Sequence, residues 1–266
     1  MMQLSPVVKQ LLIINVIFFL GCIPLVHATD YFALHYFKND SFRSWQFFSY
    51  MFMHGGFMHL FFNMFALFSF GTMLERIWGS SKFLFFYISC GLGAALVHMG
   101  VSFFIVQEVS QQLSSLQIAP DDFSFLMNAN YNLSVDRDYK IVGEVNTLLE
   151  KYRFTQDQFN TLTLAVKEYQ TPMVGASGAI YGLLVAFAFM FPNAELMMLF
   201  IPVPIKAKYY VTALVLLDLI MGYRGTSIFG GNSTGIAHFA HLGGALFGFI
   251  MMWVWRKNQF NQNRWN

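Results

Sequence analysis

Three short stretches of this chain set polar groups into otherwise apolar sequence, and together they could perform acyl transfer. The first is Val174-Gly175-Ala176-Ser177-Gly178-Ala179-Ile180-Tyr181-Gly182, where the Ser177 hydroxyl stands among small neighbours. Gly175 and Gly178 leave that hydroxyl uncovered and let other backbone come close. The second, Ala240-His241-Leu242-Gly243-Gly244, lies further downstream and supplies a base. A serine hydroxyl becomes a nucleophile when a base within about 3 Å takes its proton. The third holds His54, His59 and Asn63, of which His59 and Asn63 are spaced i, i+4 and can point to one place. Imidazole and amide N–H groups are suitable donors to an oxyanion.

Each piece has an ordinary alternative. Small residues around a serine are also the packing surface of membrane helices. A single intramembrane histidine such as His59, His54, His98 or His238 is commonly a satisfied interhelical hydrogen bond, and His27 and His35 fall in a loop where solvent would surround them. Metal binding by His54 and His59 is the sharper rival. No His-Glu-x-x-His pattern occurs, however, and no carboxylate falls at the same depth. Asp218 is read as the only acid buried in an apolar segment. Its place toward the end of that segment counts against it as a third member of a triad.

The elements that must carry these groups are membrane helices. Hydrophobic residues make up 56% of the 266 and charged residues 11%, against about 25% charged in soluble domains. A net charge of +2 is too small and too dispersed along the chain to suggest nucleic-acid binding. Cys22 and Cys90 both lie in apolar runs and build no disulfide framework. Six apolar segments reach spanning length, at 8–26, 54–74, 83–106, 172–191, 208–223 and 235–255. The first lacks a strong basic flank and a convincing cleavage site, so it is expected to be a retained span. Between the fourth and fifth, Pro202 and Pro204 exclude a helix, and an apolar loop along the interface is expected.

Positive charge sets the topology. Lys9, Arg76, Lys82, Lys206, Lys208, Arg256, Lys257 and Arg264 would share one side, and only Lys38, Arg43 and Arg224 fall in short loops on the other. Both termini are therefore expected in the cytoplasm. Spans two, four and six then run in the same direction. His59, Ser177, His241 and Asn63 would all lie a few turns in, roughly 8–14 Å below the outer surface at 1.5 Å per residue. Polar residues at that depth face a bundle interior. Gly178 with Gly182, and Gly244 with Gly248, form two small-residue ridges that would let the fourth and sixth helices approach closely.

Residues 107–171 do not belong in a bilayer. They hold nine acidic and five basic residues. Apolar spacing predicts helices over 141–149 and around 159–166, the second opened by a Thr155/Gln158 capping box. A helical extramembrane insertion is expected. Its ends flank the mouth of the site, so it would restrict or select substrates and add no catalytic group. The chain thus divides into 1–106 (spans one to three), 107–171 (insertion) and 172–266 (spans four to six).

Taken together, Gly175-Ala176-Ser177-Gly178, Ala240-His241-Leu242-Gly243-Gly244 and His54-x4-His59-x3-Asn63 resemble a rhomboid intramembrane serine protease. Glu75-Arg76-Ile77-Trp78-Gly79-Ser80-Ser81-Lys82 resembles that family's turn after the second span. The resemblance implies an all-α, polytopic, six-helix bundle of the bacterial type, set in the cell (inner) membrane. It implies Ser177 as nucleophile and His241 as general base, in a dyad without a carboxylate. His59, Asn63 and the Ser177 backbone N–H would form the oxyanion hole. Tyr181 would stack on His241, His54 would support the outer loop, and Gly244 would make the tight helix contact. The implied substrates are single-pass transmembrane proteins cut near the outer face, with membrane lipid as the other partner and no cofactor or metal. The insertion departs from the family pattern. The alternatives are an inactive rhomboid-like membrane-protein-binding protein, and a channel or transporter. The second of these would show internal repeats, and the two halves of this sequence show none.

Overall fold

The computed structural model describes residues 4–131, 141–198, 201–224 and 236–256. Lys257, Arg264 and the centre of the insertion from Asp136 to Lys140 lie outside the described residues. The order begins with α1 (Pro6–Cys22) and two short helices, α2 (Ala28–Phe32) and α3 (Gln46–Ser49). α4 (Phe57–Ala66) and α5 (Thr72–Trp78) form one rod through a π-helical turn at Leu67–Gly71. Then come α6 (Ser80–Gln112), α7 (Pro120–Asn128), α8 (Gly143–Lys151), α9 (Gln156–Gln170) and α10 (Ser177–Met190). A hairpin of β1 (Glu195–Met198) and β2 (Ile201–Lys206) leads to α11 (Ala207–Arg224) and α12 (Ile236–Trp255).

Each of the six expected segments is helical over most of its length. Phe57–Trp78, Ser80–Gln112 and His238–Trp255 are each long and apolar enough to cross a membrane, while Pro6–Cys22 and Ser177–Met190 are apolar but shorter. The pattern of exposure is that of a protein solvated by lipid. Phe57, Phe61 and Phe65 repeat at i, i+4 on α4 and are exposed, as are Ile13, Ile17 and Leu20 on α1. Asn15, Asn63, Glu75 and Asp218 are buried instead. A polar group that costs several kcal/mol in hydrocarbon is turned inward, where other polar groups can meet it.

Two expectations change. The segment with two prolines is an antiparallel hairpin rather than a loop, pairing Glu195 with Lys206, Leu196 with Ile205 and Met197 with Pro204. A two-stranded ribbon consists of edges only, so proline's missing N–H is tolerated there. Asp218 is also not the only buried acid in the helices. Glu75 is 2% exposed, and its carboxylate gathers four donors: Ser5 Oγ at 2.5 Å, Val7 N and Val8 N at 2.9 Å, and Ser80 Oγ at 2.7 Å. The N–H groups at the start of α1 have no intrahelical acceptor, and Ser5 does not cap them with its own side chain. Glu75 does so from the end of α5, and its negative charge suits the positive end of the α1 dipole.

The chain forms two compact units. The first takes the described parts of 1–34, 44–98 and 173–266, and the second takes 35–43 and 99–172. The second unit therefore begins before the expected boundary at 107 and recruits a piece of the first loop. Its core is apolar and its own: Leu113, Leu126, Leu162, Ala165 and Val145 are all at most 2% exposed. α9 opens with the expected capping box between Thr155 and Gln158. α7 was not foreseen, although Pro120 at its start and Asp121 and Asp122 in its first turn are recognisable opening signals. Within this unit Gln170 Nε2 donates to the carbonyls of Met127 and Ala129, both at 2.8 Å, tying the end of α9 to the end of α7. His35 is 6% exposed in this unit rather than solvated.

Glu75→Ala leaves the donors from Ser5, Val7, Val8 and Ser80 without this acceptor. It is expected to destabilise the helical bundle by about 3 kcal/mol. Unfolding in a mixed-micelle denaturant series measures the loss.

Candidate active site

The approach to Ser177 is fixed by backbone. Leu34 and Met173 exchange N–H···O bonds, each of 2.9 Å, as an antiparallel bridge, and Gly175 N donates to the Tyr50 carbonyl at 2.9 Å. Gly175 has φ +115°, a conformation that side-chain-bearing residues rarely adopt. The turn it makes delivers Ser177 as the first residue of α10. Residues 172–176 were expected to be helical, and they are not. The consequence is chemical, because the first backbone N–H groups of a helix have no partner within it and point past its end.

α10 and α12 then meet through glycine. A Cβ on Gly244 would overlap the Gly178 carbonyl, and one on Gly248 would lie 2.7 Å from Gly182 Cα. Both ridges expected from the sequence are in this contact. α6 completes it: a Cβ on Gly182 would press into Cys90, one on Gly178 into Ala94, and one on Gly243 would lie 2.7 Å from Val97 Cβ. The sequence reading missed this third helix. Gly91, Gly93 and Ala94 sit in a small-residue run that was the available signal.

Close packing brings the reactive groups together. Ser177 Oγ and His241 Nε2 are 2.9 Å apart. The Tyr181 ring stacks on the His241 imidazole with centroids 4.3 Å apart and planes 9° from parallel. Tyr181 follows Ser177 by one helical turn, so α10 supplies both the hydroxyl and the wall that sets the ring.

His59 lies across from Ser177 on α4. A Cβ at Gly175 would sit 2.8 Å from His59 Nε2 and 3.6 Å from Ser177 Oγ, so both border the space that the missing side chain leaves. His59 Nδ1 accepts from Gly55 N–H at 3.3 Å. A neutral imidazole that accepts at one nitrogen donates at the other, so Nε2 carries the proton and faces that space. Asn63 is 5% exposed and Nδ2 donates to the His59 carbonyl at 2.8 Å. Among the described residues this bond ties Asn63 to its own helix and not to Ser177. His54 Nδ1 lies 3.2 Å from the Phe52 carbonyl, with its ring edge-on to His59 at 5.1 Å.

The position of Asp218 along its segment counts against a place in the site, yet the structure sets it beside His241. Its Oδ1 is 3.4 Å from His241 Nδ1 and is hydrogen-bonded to His238 Nδ1. Residue spacing on α11 explains the orientation: Val211, Asp218 and Gly222 are buried on one face. A Cβ on Gly222 would lie 3.2 Å from the Phe239 ring. Asp218, one turn before that contact, is thereby aimed at α12.

The helical bundle and its buried polar cluster define an integral membrane protein. The Rhomboid domain family model matches residues 41–106 and 158–258. The chain belongs to the rhomboid family. The unmatched stretch between the two blocks falls within the second unit. No curated protein matches the chain.

Gly244→Val forces a branched side chain into the Gly178 backbone and should push α12 away from α10. It is expected to abolish fluorophosphonate labelling of Ser177 without altering any polar group. Gel fluorescence of the labelled, purified variant checks this.

Proposed function

We propose that this chain is an intramembrane serine endopeptidase that cleaves single-pass membrane proteins near the outer face of a bacterial inner membrane. The observation that carries this reading is the 2.9 Å approach of Ser177 Oγ to His241 Nε2, bridging two helices. A rhomboid-family protein that only binds membrane proteins would have no use for a hydroxyl and an imidazole in that relation.

In the proposed reaction Ser177 Oγ attacks the scissile carbonyl while His241 Nε2 accepts its proton. The tetrahedral oxyanion forms where backbone N–H groups at the start of α10 and the His59 Nε2–H can donate to it. His241 then gives its proton to the departing amine. Water hydrolyses the Ser177 ester by the same exchange in reverse. Tyr181 keeps the imidazole from turning out of line between the two transfers. Asn63 contributes its second amide N–H, the first being committed to the His59 carbonyl. His54 holds the segment before α4, and the second unit governs which substrates reach the site.

Ser177→Ala removes one hydroxyl and creates little cavity, so the protein should remain folded and lose all cleavage of a single-span substrate. Turnover by the purified variant would end this reading. His59→Ala and Asn63→Ala remove donors that act mainly in the transition state. Each should lower kcat about 10–1000-fold with a much smaller change in KM. Steady-state kinetics with one fluorogenic transmembrane substrate separates the two parameters.

A further inference from the structure

We infer that Asp218 is a positioning residue for His241, so that the imidazole of the Ser177–His241 pair is oriented by a carboxylate from α11. Three observations converge on this. Asp218 is 5% exposed, although a carboxylate inside a membrane helix is costly and needs a reason to be there. Its Oδ1 lies 3.4 Å from His241 Nδ1, on the side of the ring opposite Ser177. The same oxygen meets His238 Nδ1, and His238 precedes His241 by three residues on the same face of α12.

The tautomers follow from the acceptor. An ionised carboxylate can only accept, and one oxygen has lone pairs for two donors. Both imidazoles therefore carry their proton on Nδ1. For His241 this leaves Nε2 unprotonated, facing Ser177, which is the form a general base requires. The other tautomer would present N–H to the serine and could take no proton from it. When His241 becomes an imidazolium, its new charge faces Asp218 across Nδ1, and the 3.4 Å contact is free to shorten. Tyr181 closes the cluster from α10, stacked on His241 and facing Asp218. From α4, His59 is the titratable group that interacts with His241. His238, on the same oxygen, holds the carboxylate in place beside His241.

The inference rests on the serine protease reading, and two measurements keep the failures apart. In the first, the resting protein carries 15N-labelled histidine in detergent, and the His241 signals are assigned by comparison with His241→Gln. The expected spectrum has Nδ1 protonated and Nε2 bare in the native protein, and it loses that preference in Asp218→Asn. This readout needs no turnover, so it stands whether or not the protein is a protease. A native His241 protonated on Nε2 would overturn the inference. In the second, Asp218→Asn, which keeps the shape of the side chain, is assayed beside Ser177→Ala. The expected result is a fall in kcat of about 100–10,000-fold, with KM within about twofold and an unchanged unfolding midpoint. A kcat equal to the native value, with Ser177→Ala inactive, would sink the positioning role and leave the Ser177–His241 pair standing. Should Asp218→Asn fail to fold, Asp218→Glu serves the same purpose. It should retain the Nδ1 tautomer and more activity than Asp218→Ala, and equal loss in both would count against a role for the carboxylate.

Discussion

The backbone contact between α10 and α12 is the constraint on which the site depends. Ser177 and His241 lie on different helices, with no covalent link between them, and a proton transfer tolerates little change in their separation. In water the hydrophobic effect would press two such helices together, but in lipid that force is absent and packing must replace it. Glycine supplies the replacement by removing every atom between the two backbones. At Gly244 against Gly178, and at Gly248 against Gly182, there is no space for even a methyl group. Ala94 and Cys90 on α6 press on the same two glycines of α10 from another side, so that α10 is held by two neighbours at once. Helix spacing then becomes a length standard for the Ser177–His241 hydrogen bond.

A second constraint is that polar groups inside the helices must find one another. Glu75 and Asp218 solve this in different ways. Glu75 gathers four donors from α1 and the start of α6 and joins helix ends. Such an arrangement is static, because hydroxyl and backbone donors do not change charge during a reaction. Asp218 gathers two imidazoles, the side chains whose charge changes most readily near neutral pH. The partners of the two acids thus separate a structural role from one that can respond to proton transfer.

Much of this was legible in the sequence, for physical reasons that can be named. Apolar length marks a membrane helix, and glycine spacing marks a close contact, so six helices and the α10–α12 ridges were accessible. Ser177 and His241 stood out because polar groups are rare in such sequence. The start of α10 was not accessible. An apolar run continues through Pro172 to Ala176, and only the Leu34–Met173 bridge and the φ of Gly175 show that these residues are not helical. The position of Asp218 along the chain does not reveal its partner. Its direction around α11, set by Val211 and Gly222, is what decides its partner. The second unit was seen as an insertion, but its recruitment of 35–43 is a long-range pairing that no local pattern announces.

In the proposed reaction two histidines at one site do opposite things, and the partner of Nδ1 decides between them. At His59, Nδ1 accepts from the Gly55 backbone, a group that can only donate, and Nε2 is therefore left as a donor suited to a developing anion. At His241, Nδ1 faces a carboxylate that can only accept, and Nε2 is left as an acceptor suited to a serine proton. Neither arrangement needs solvent to set it, which matters where water is scarce. A backbone amide cannot titrate, so the donor form of His59 is fixed by the fold alone. The acceptor form of His241 depends on the Asp218 carboxylate, which meets His238 through the same oxygen. The division of labour between donor and base is thus carried by residues one step removed from the reacting atoms. That is why the two imidazoles, identical in isolation, are not interchangeable here.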